Sequence, residues 1–200
     1  DIIRQHDIEL LDAHNYEGLM VALATGFRPI LYHAHNAMED ELPYYGGFGV
    51  VGRFIGTFLD AQLPRRSDHV VVPHDGLRDY LLRNRCVDEN VTVIAPSIDP
   101  EGFSRTIEYM DEPTVLYAGN LDKYQNPEML KRVMNQIREH RPHVKMVVAT
   151  NDAKSLSFAD VVPTPDVEVL KGVLQRDAVM ICPRISWSGY PIRLLNAMAA

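Results

Sequence analysis

The chain alternates between short, continuous apolar runs and longer stretches with helical spacing. Residues 29–35, 68–73, 91–94, 114–118, 144–149 and 178–182 are rich in Val, Ile, Leu and Tyr. They lack a strict in–out alternation, so they read as strands covered on both faces. Between them lie helical segments. Residues 16–24 bring Leu19, Ala22 and Leu23 to one side, and residues 48–63 carry Val51, Phe54, Ile55, Phe58 and Leu59 at helical spacing. Residues 75–83 follow a strand directly, with Asp75 as the expected N-cap. Asn126-Pro127-Glu128 supplies a cap, a first-turn proline and an acid near the positive end of the helix dipole. That helix is expected to run to His140, where Arg141-Pro142 stops it. Asp12-Ala13-His14-Asn15 reads as one more strand end. Strand followed by helix, repeatedly, predicts an α/β fold with parallel sheets.

A polar stretch over residues 99–113, with Pro100, Gly102 and Pro113, interrupts this rhythm. It divides the chain into an α/β part over 1–103, a linker over 104–112 and a second α/β part over 113–200. Each part has only a few strands, and neither carries the glycine-rich first strand–helix turn of a dinucleotide-binding unit. Both are expected to be incomplete.

Composition narrows the function. The 200 residues carry a formal net charge of −7, which argues against a polyanion partner such as nucleic acid. The basic clusters, Arg65-Arg66 and Arg83/Arg85, are short and read as solvated loop charges. No apolar stretch is long enough to span a bilayer. There is no signal-peptide pattern, although Asp1 is not an initiator Met. The two cysteines, Cys86 and Cys182, form no motif and read as reduced cytosolic thiols.

In parallel sheets, ligands bind beyond the carboxyl ends of strands. Three polar groups occupy such places: His33, His35 and Asn36, leading to Glu39-Asp40-Glu41; Gly119-Asn120-Leu121-Asp122-Lys123-Tyr124-Gln125; and Pro183-Arg184 with the loop to Gly189. His33 and His35 have a spacing that a metal could use, but no third ligand is evident beside them, and the acidic run reads equally well as solvated surface. The hydrolase elbow, the P-loop and G-x-G-x-x-G are all absent. Gly46-Gly47-Phe48-Gly49 follows Tyr44-Tyr45 and not a strand, so it reads as a loop entering a helix. Ser188-Gly189-Tyr190-Pro191 opens a helix after a strand and a loop, and its free N–H groups and dipole suit a phosphate.

The segments "PSIDPEGF", "VLYAGNLDKYQNPEML" and "SGYPIRLLNAMAA" together resemble the family 4 glycosyltransferases, which have the GT-B fold of two Rossmann-like domains. "RRSDHVVVPHDGLRDYLL", "DAHNYEGLMVALA" and "LYHAHNAMEDELP" resemble that family's N-terminal domain. The resemblance runs through nearly the whole chain in the right order. It also implies a fragment, beginning partway through the N-terminal domain and ending before the C-terminal one is complete, inactive when isolated.

What the resemblance implies is transfer of a sugar from a nucleotide-diphosphate donor to a glycan or lipid-linked acceptor, with retention of configuration and with no cofactor or metal. His35 matches the histidine that contacts the transferred sugar, and His14, Asn36 and Glu39 fall on the acceptor side. The donor would meet Gly119, Asn120, Lys123, Gln125, Arg184, Ser188, Gly189, Tyr190, Pro191, Ile192 and Asn196. The implied setting is the cytoplasm, at the inner face of the plasma membrane, with peripheral membrane association. Four positions depart from the family pattern. Ser188 and Asn196 replace its two glutamates, Asn120 its arginine and Gln125 its lysine. Lys123, Arg184 or Arg193 would then have to supply the lost cations. The departures fit either a rewired donor site or a noncatalytic GT-B-like binding or scaffold module. An epimerase or a pyridoxal-phosphate-dependent phosphorylase is a more distant reading, with no residue here to support it.

Overall fold

The structure, a computed structural model, describes residues 2–47, 49–84, 90–103, 107–152 and 155–200. Phe48, Arg85, Cys86 and the beginning of the expected linker lie outside them. The chain falls into two compact units. One comprises Asp1–Pro96 with Ser186–Tyr190, and the other Ser97–Ile185 with Pro191–Ala200.

The first unit begins with the short helix α1 (Ile2–Gln5), then β1 (Leu11–His14), α2 (Asn15–Ala24), β2 (Ile30–His33), α3 (Met38–Glu41), α4 (Gly49–Gln62), β3 (His69–Val72), α5 (Asp75–Arg83) and β4 (Val91–Val93). The strands pair in parallel, in the order β1-β2-β3-β4. Ala13, Ile30, Tyr32, Val70 and Val72 pack with Leu19 of α2 and with Leu77 and Leu81 of α5. The second unit contains β5 (Thr114–Ala118), α6 (Pro127–His140), β6 (Lys145–Thr150), β7 (Asp160–Pro163), α7 (Val167–Leu174), β8 (Val179–Met180) and α8 (Ile192–Ala199). Its sheet, also parallel, runs β7-β6-β5-β8. Successive residues of a strand point to opposite faces. Leu116, Ala118, Val147 and Ala149 therefore join Val173 and Leu174 of α7, while Val115, Tyr117, Met146 and Val148 join Leu130 and Met134 of α6. Helices on both faces are the reason these strands are continuously apolar, as their sequence predicts.

Three local expectations change. The N-cap of α5 is His74 and not Asp75: the His74 Nδ1 accepts the Leu77 N–H at 3.1 Å, one residue earlier than the acid. Asn126 does occupy the N-cap of α6, but it sits in the left-handed region (φ 55°) and its side chain makes no capping bond. The third change concerns α4. Its apolar stripe faces outward, with Phe54 73% and Phe58 65% exposed, while Gly52, Gly56 and Asp60 form the buried face. The glycines let the α4 backbone press against α3. Asp60 then accepts the Met38 and Glu39 N–H groups, both at 3.0 Å, and the Tyr80 hydroxyl at 3.0 Å. A helix start has free N–H groups, and here a neighbouring helix supplies their acceptor.

Burial pushes the Asp60 carboxyl up to about 6, against the pull of these donors. Its folded value lies above the unfolded one, so its contribution to stability is complete below the unfolded value and is lost as pH rises through about 6. Wild type should therefore gain about 2 kcal/mol relative to Asp60→Asn as pH falls from about 7 to about 4. Urea unfolding of both proteins across that range measures it, and parallel curves would refute the linkage.

Candidate functional site

In the first unit, the parallel register sets His14 at the end of β1 opposite His33 at the end of β2. Their rings stack with centroids 4.5 Å apart. Asp12 precedes His14 by two residues and so shares its face. One Asp12 oxygen lies 3.5 Å from His14 Nε2 and the other 3.3 Å from His33 Nε2. His35, just past β2, places its Nε2 2.9 Å from His14 Nδ1. Burial, followed by the neighbouring His14 and His33, lowers the His35 pKa, and Asp12 acts in the opposite direction. The sequence showed His33 and His35 as a pair; the neighbouring strand adds His14 and Asp12.

Close by in sequence, a cavity of about 320 Å³ is lined by Asn15, Tyr16, Glu17, Asn36, Glu41 and Tyr45, among others. The Asn36 amide donates to Glu41. Glu39 is engaged elsewhere, since its carboxylate accepts the Tyr80 hydroxyl at 2.7 Å. Asp40, in the acidic run that could pass for solvated surface, is buried. Its Oδ2 accepts the hydroxyls of Ser186 and Ser188 at 2.8 and 2.7 Å and the N–H groups of Trp187 and Ser188 at 2.9 Å each. The His74 Nε2 lies 2.9 Å from the Ser188 carbonyl. Because a carbonyl only accepts and the Leu77 N–H only donates, His74 must carry its proton on Nε2. Ser188 is thus fully buried with its N–H, carbonyl and hydroxyl all engaged. The Tyr190 ring lies 6.4 Å from that of His74, and Gly189 stands between these two anchored residues.

In the second unit, a cavity of about 480 Å³ opens at the carboxyl ends of β5 and β6. Gly119, Asn120, Asn151, Asp152, Asp166 and Arg193 are among its lining residues. The Gly119 N–H donates to the Ala149 carbonyl at 2.8 Å, which extends the β5–β6 ladder by one step. A methyl group on Gly119 would meet Arg193 Nη1 at 2.7 Å and the Tyr117 hydroxyl at 2.6 Å, so the absence of a side chain gives Arg193 its place. No carboxylate among the described residues forms an ion pair with Arg193. The Asn120 amide donates to Asp122 at 2.7 Å and to the Tyr124 hydroxyl at 3.0 Å, while its buried Oδ1 has no partner. Arg184 stacks on Tyr124, 5.1 Å from the ring centre. Lys123 is exposed on the turn whose last residue, Gln125, is buried. Pro191 caps α8, Ile192 opens it half-exposed, and Asn196 lies one turn further on, half-buried. Of the residues expected at the donor, Gly119 and Asn120 share this cavity with Arg193, while Ser188, Gly189 and Tyr190 group with the first unit.

These folds have known counterparts. A sucrose-phosphate synthase from Thermosynechococcus elongatus matches with a TM-score of 0.77 at 16% identity, over 98% of this chain and 55% of that one. HepE of Anabaena, solved in complex with UDP-glucose, matches at 0.72 and 11% identity, over 99% and 59%. The catalytic domain of starch synthase IV from Arabidopsis thaliana, bound to ADP and acarbose, matches at 0.59 and 13%, over 98% and 56%. The likeness shows a GT-B type fold, and the chain spans just over half the length of each of these solved structures. No curated protein sequence matches it. The family model for Glycosyltransferase Family 4 matches residues 1–102. With the paired parallel sheets and the polar strand ends already described, this match establishes that the chain belongs to Glycosyltransferase Family 4.

Proposed function

We propose that the protein is a retaining glycosyltransferase that moves a sugar from a nucleotide-diphosphate donor to a hydroxyl of a glycan or lipid-linked acceptor. The observation that carries this reading is the cavity beyond β5 and β6, with Arg193 held over Gly119 and lacking a carboxylate partner among the described residues. A leaving diphosphate gains negative charge as the glycosidic bond breaks, so a fixed cation favours the transition state over the ground state. Arg193 takes over the part that the arginine and lysine positions, now Asn120 and Gln125, no longer fill. Arg184 and Lys123 are secondary cations. Asn120, with an unpartnered buried oxygen, can accept a hydrogen bond from the bound nucleotide.

On the acceptor side, Asn15, Glu17, Asn36 and Glu41 offer amides and carboxylates beside the rings of Tyr16 and Tyr45, a combination that suits sugar hydroxyls. His35 contacts the transferred sugar. The outward apolar face of α4, with Arg53 exposed among Val50, Val51, Phe54 and Phe58, favours an acceptor presented at a lipid surface. No helix among the described residues is long and apolar enough to cross a membrane.

Calorimetric titration with UDP, GDP and ADP tests the donor reading. One of them should bind, and Arg193→Ala should weaken it tenfold or more, about 1.4 kcal/mol. Arg184→Ala, whose side chain rests on Tyr124, should weaken it less. A second reading, a noncatalytic binding or scaffold module, is favoured by one observation: Ser188, where the family pattern has a glutamate, is buried and fully engaged. Absence of binding by all three nucleotides would select that reading, and measured sugar transfer would remove it.

A further inference from the structure

We infer that Asp12 and His14 are positioning residues for His35, and that together they hold it as a neutral ring whose Nδ1 accepts a hydrogen bond from a sugar hydroxyl. The inference rests on the proposed reading in which His35 contacts the transferred sugar. It starts from one distance: His14 Nδ1 lies 2.9 Å from His35 Nε2. Two imidazole nitrogens this close share a single proton, one as donor and the other as acceptor. The two possible arrangements give a neutral His35 opposite chemistry. If His14 donates, His35 carries its proton on Nδ1 and can only donate to a ligand there. If His35 donates, its Nδ1 is a lone pair.

Asp12 decides between them. One of its oxygens lies 3.5 Å from His14 Nε2 and the other 3.3 Å from His33 Nε2. These separations are long for hydrogen bonds, but a carboxylate only accepts, so its charge favours a proton on each nitrogen and opposes a lone pair there. A neutral His14 with its proton on Nε2 keeps Nδ1 unprotonated, and the bridging proton then belongs to His35 Nε2. The backbone sets the geometry of the bridge. The β1–β2 register places His14 opposite His33, and the His33 ring, stacked at 4.5 Å and inclined by only 20°, holds the plane of His14. The open acceptor of the His14–His35 pair is therefore His35 Nδ1. A sugar hydroxyl can donate to it, whereas an ionised phosphate oxygen has no proton to give. The ring also stays neutral at neutral pH: burial, then His14 and His33, lower its pKa, and Asp12 acts against them. A protonated His35 would attract the diphosphate; the neutral ring selects the sugar.

The test is nuclear magnetic resonance of the histidine rings in the isotope-labelled chain. At neutral pH a nitrogen–nitrogen coupling across the bridge should join a protonated His35 Nε2 to an unprotonated His14 Nδ1, with each ring in a single tautomer. Asp12→Asn removes the charge, and the bridging proton should then divide between the two rings. His14→Ala should leave His35 in a mixture of tautomers, and His14→Asn, whose Oδ1 can accept in place of Nδ1, should restore the Nε2–H form. The His35 titration midpoint should rise in His14→Ala and fall in Asp12→Asn, a split in sign that mere loss of packing would not produce. In transfer assays Asp12→Asn should lower kcat about tenfold, the cost of one misdirected hydrogen bond, while the affinity for UDP, GDP or ADP, which lack the sugar, stays unchanged. Asp12 and His14 are half-exposed, so amide spectra should show unchanged folds, and the wild-type coupling needs no variant at all. The inference is overturned if no coupling is found, if the proton resides on His14 Nδ1, or if Asp12→Asn alters neither the tautomers nor kcat. Nucleotide binding without such a bridge would remove this inference alone. The bridge without nucleotide binding would remove the transferase reading and leave the positioning of His35 standing.

Discussion

Replacing Asp40 by alanine should destabilise the protein by about 3–5 kcal/mol, the range for removing one partner of a buried charged network. One oxygen, Asp40 Oδ2, accepts two hydroxyls and two backbone N–H groups from Ser186, Trp187 and Ser188. Ser188 is fully buried and Ser186 nearly so, so water cannot take over the abandoned donors without opening the segment. Removing a buried carboxylate does recover part of its desolvation cost. That recovery is outweighed because four donors lose their acceptor together, at about 1–3 kcal/mol for each one left buried and unpaired. Asp40→Asn keeps one carbonyl oxygen in nearly the same shape and should cost about half as much. Trp187 is the only tryptophan, and its ring meets Tyr80 edge-on at 5.2 Å, so tryptophan emission, excited selectively over the nine tyrosines, reports on this segment. In Asp40→Ala it should shift to the red and become more accessible to a soluble quencher before global unfolding. An unchanged spectrum together with an unchanged unfolding midpoint would show that the Asp40 network does not hold the segment.

The same residue shows what the sequence could and could not disclose. Strands buried on both faces announce themselves as apolar runs, and β5 occupies the residues its pattern predicts. β7 and α7 were not legible. β7 is four residues ending in Pro163, and α7 is rich in valine, a residue that favours strands. Asp166, which caps α7 by accepting the Val169 N–H at 2.9 Å, was the one available start signal. Glu39-Asp40-Glu41 looks uniform in sequence, yet one carboxylate meets Tyr80 and another the Ser186–Ser188 backbone. Partners more than 100 residues away leave no local trace. Asp12 and His14 join His33 and His35 for the same reason: parallel register, and not sequence spacing, makes them neighbours. The strand-end positions of His14, His33 and His35 could be read in advance; the fact that they meet could not.

Helical periodicity alone misplaces the core face of α4, and this leads to an unusual expectation for Gly56. Glycine in a helix interior costs about 0.8–1.0 kcal/mol relative to alanine, so Gly→Ala in a helix ordinarily stabilises. At Gly56 the sign should reverse. An added methyl would lie 2.5 Å from the Glu39 nitrogen and closer still to the Met38 carbonyl. These are backbone atoms of α3, and they cannot rotate aside as a side chain tip would. Relief requires α4 and α3 to separate, which also loosens Asp60 from the Met38 and Glu39 N–H groups. Overpacking costs about 1–3 kcal/mol and each strained or lost bond about 1 kcal/mol more, so the net loss should reach about 3 kcal/mol despite the better helix former. Gly172→Ala in α7 is the matched control, since nothing lies within 4 Å of the added carbon, and it should stabilise by up to about 1 kcal/mol. Chemical unfolding of the two variants beside wild type separates the effects. Opposite signs follow from close backbone approach at Gly56, whereas equal stabilisation by both would mean that α4 does not press on α3.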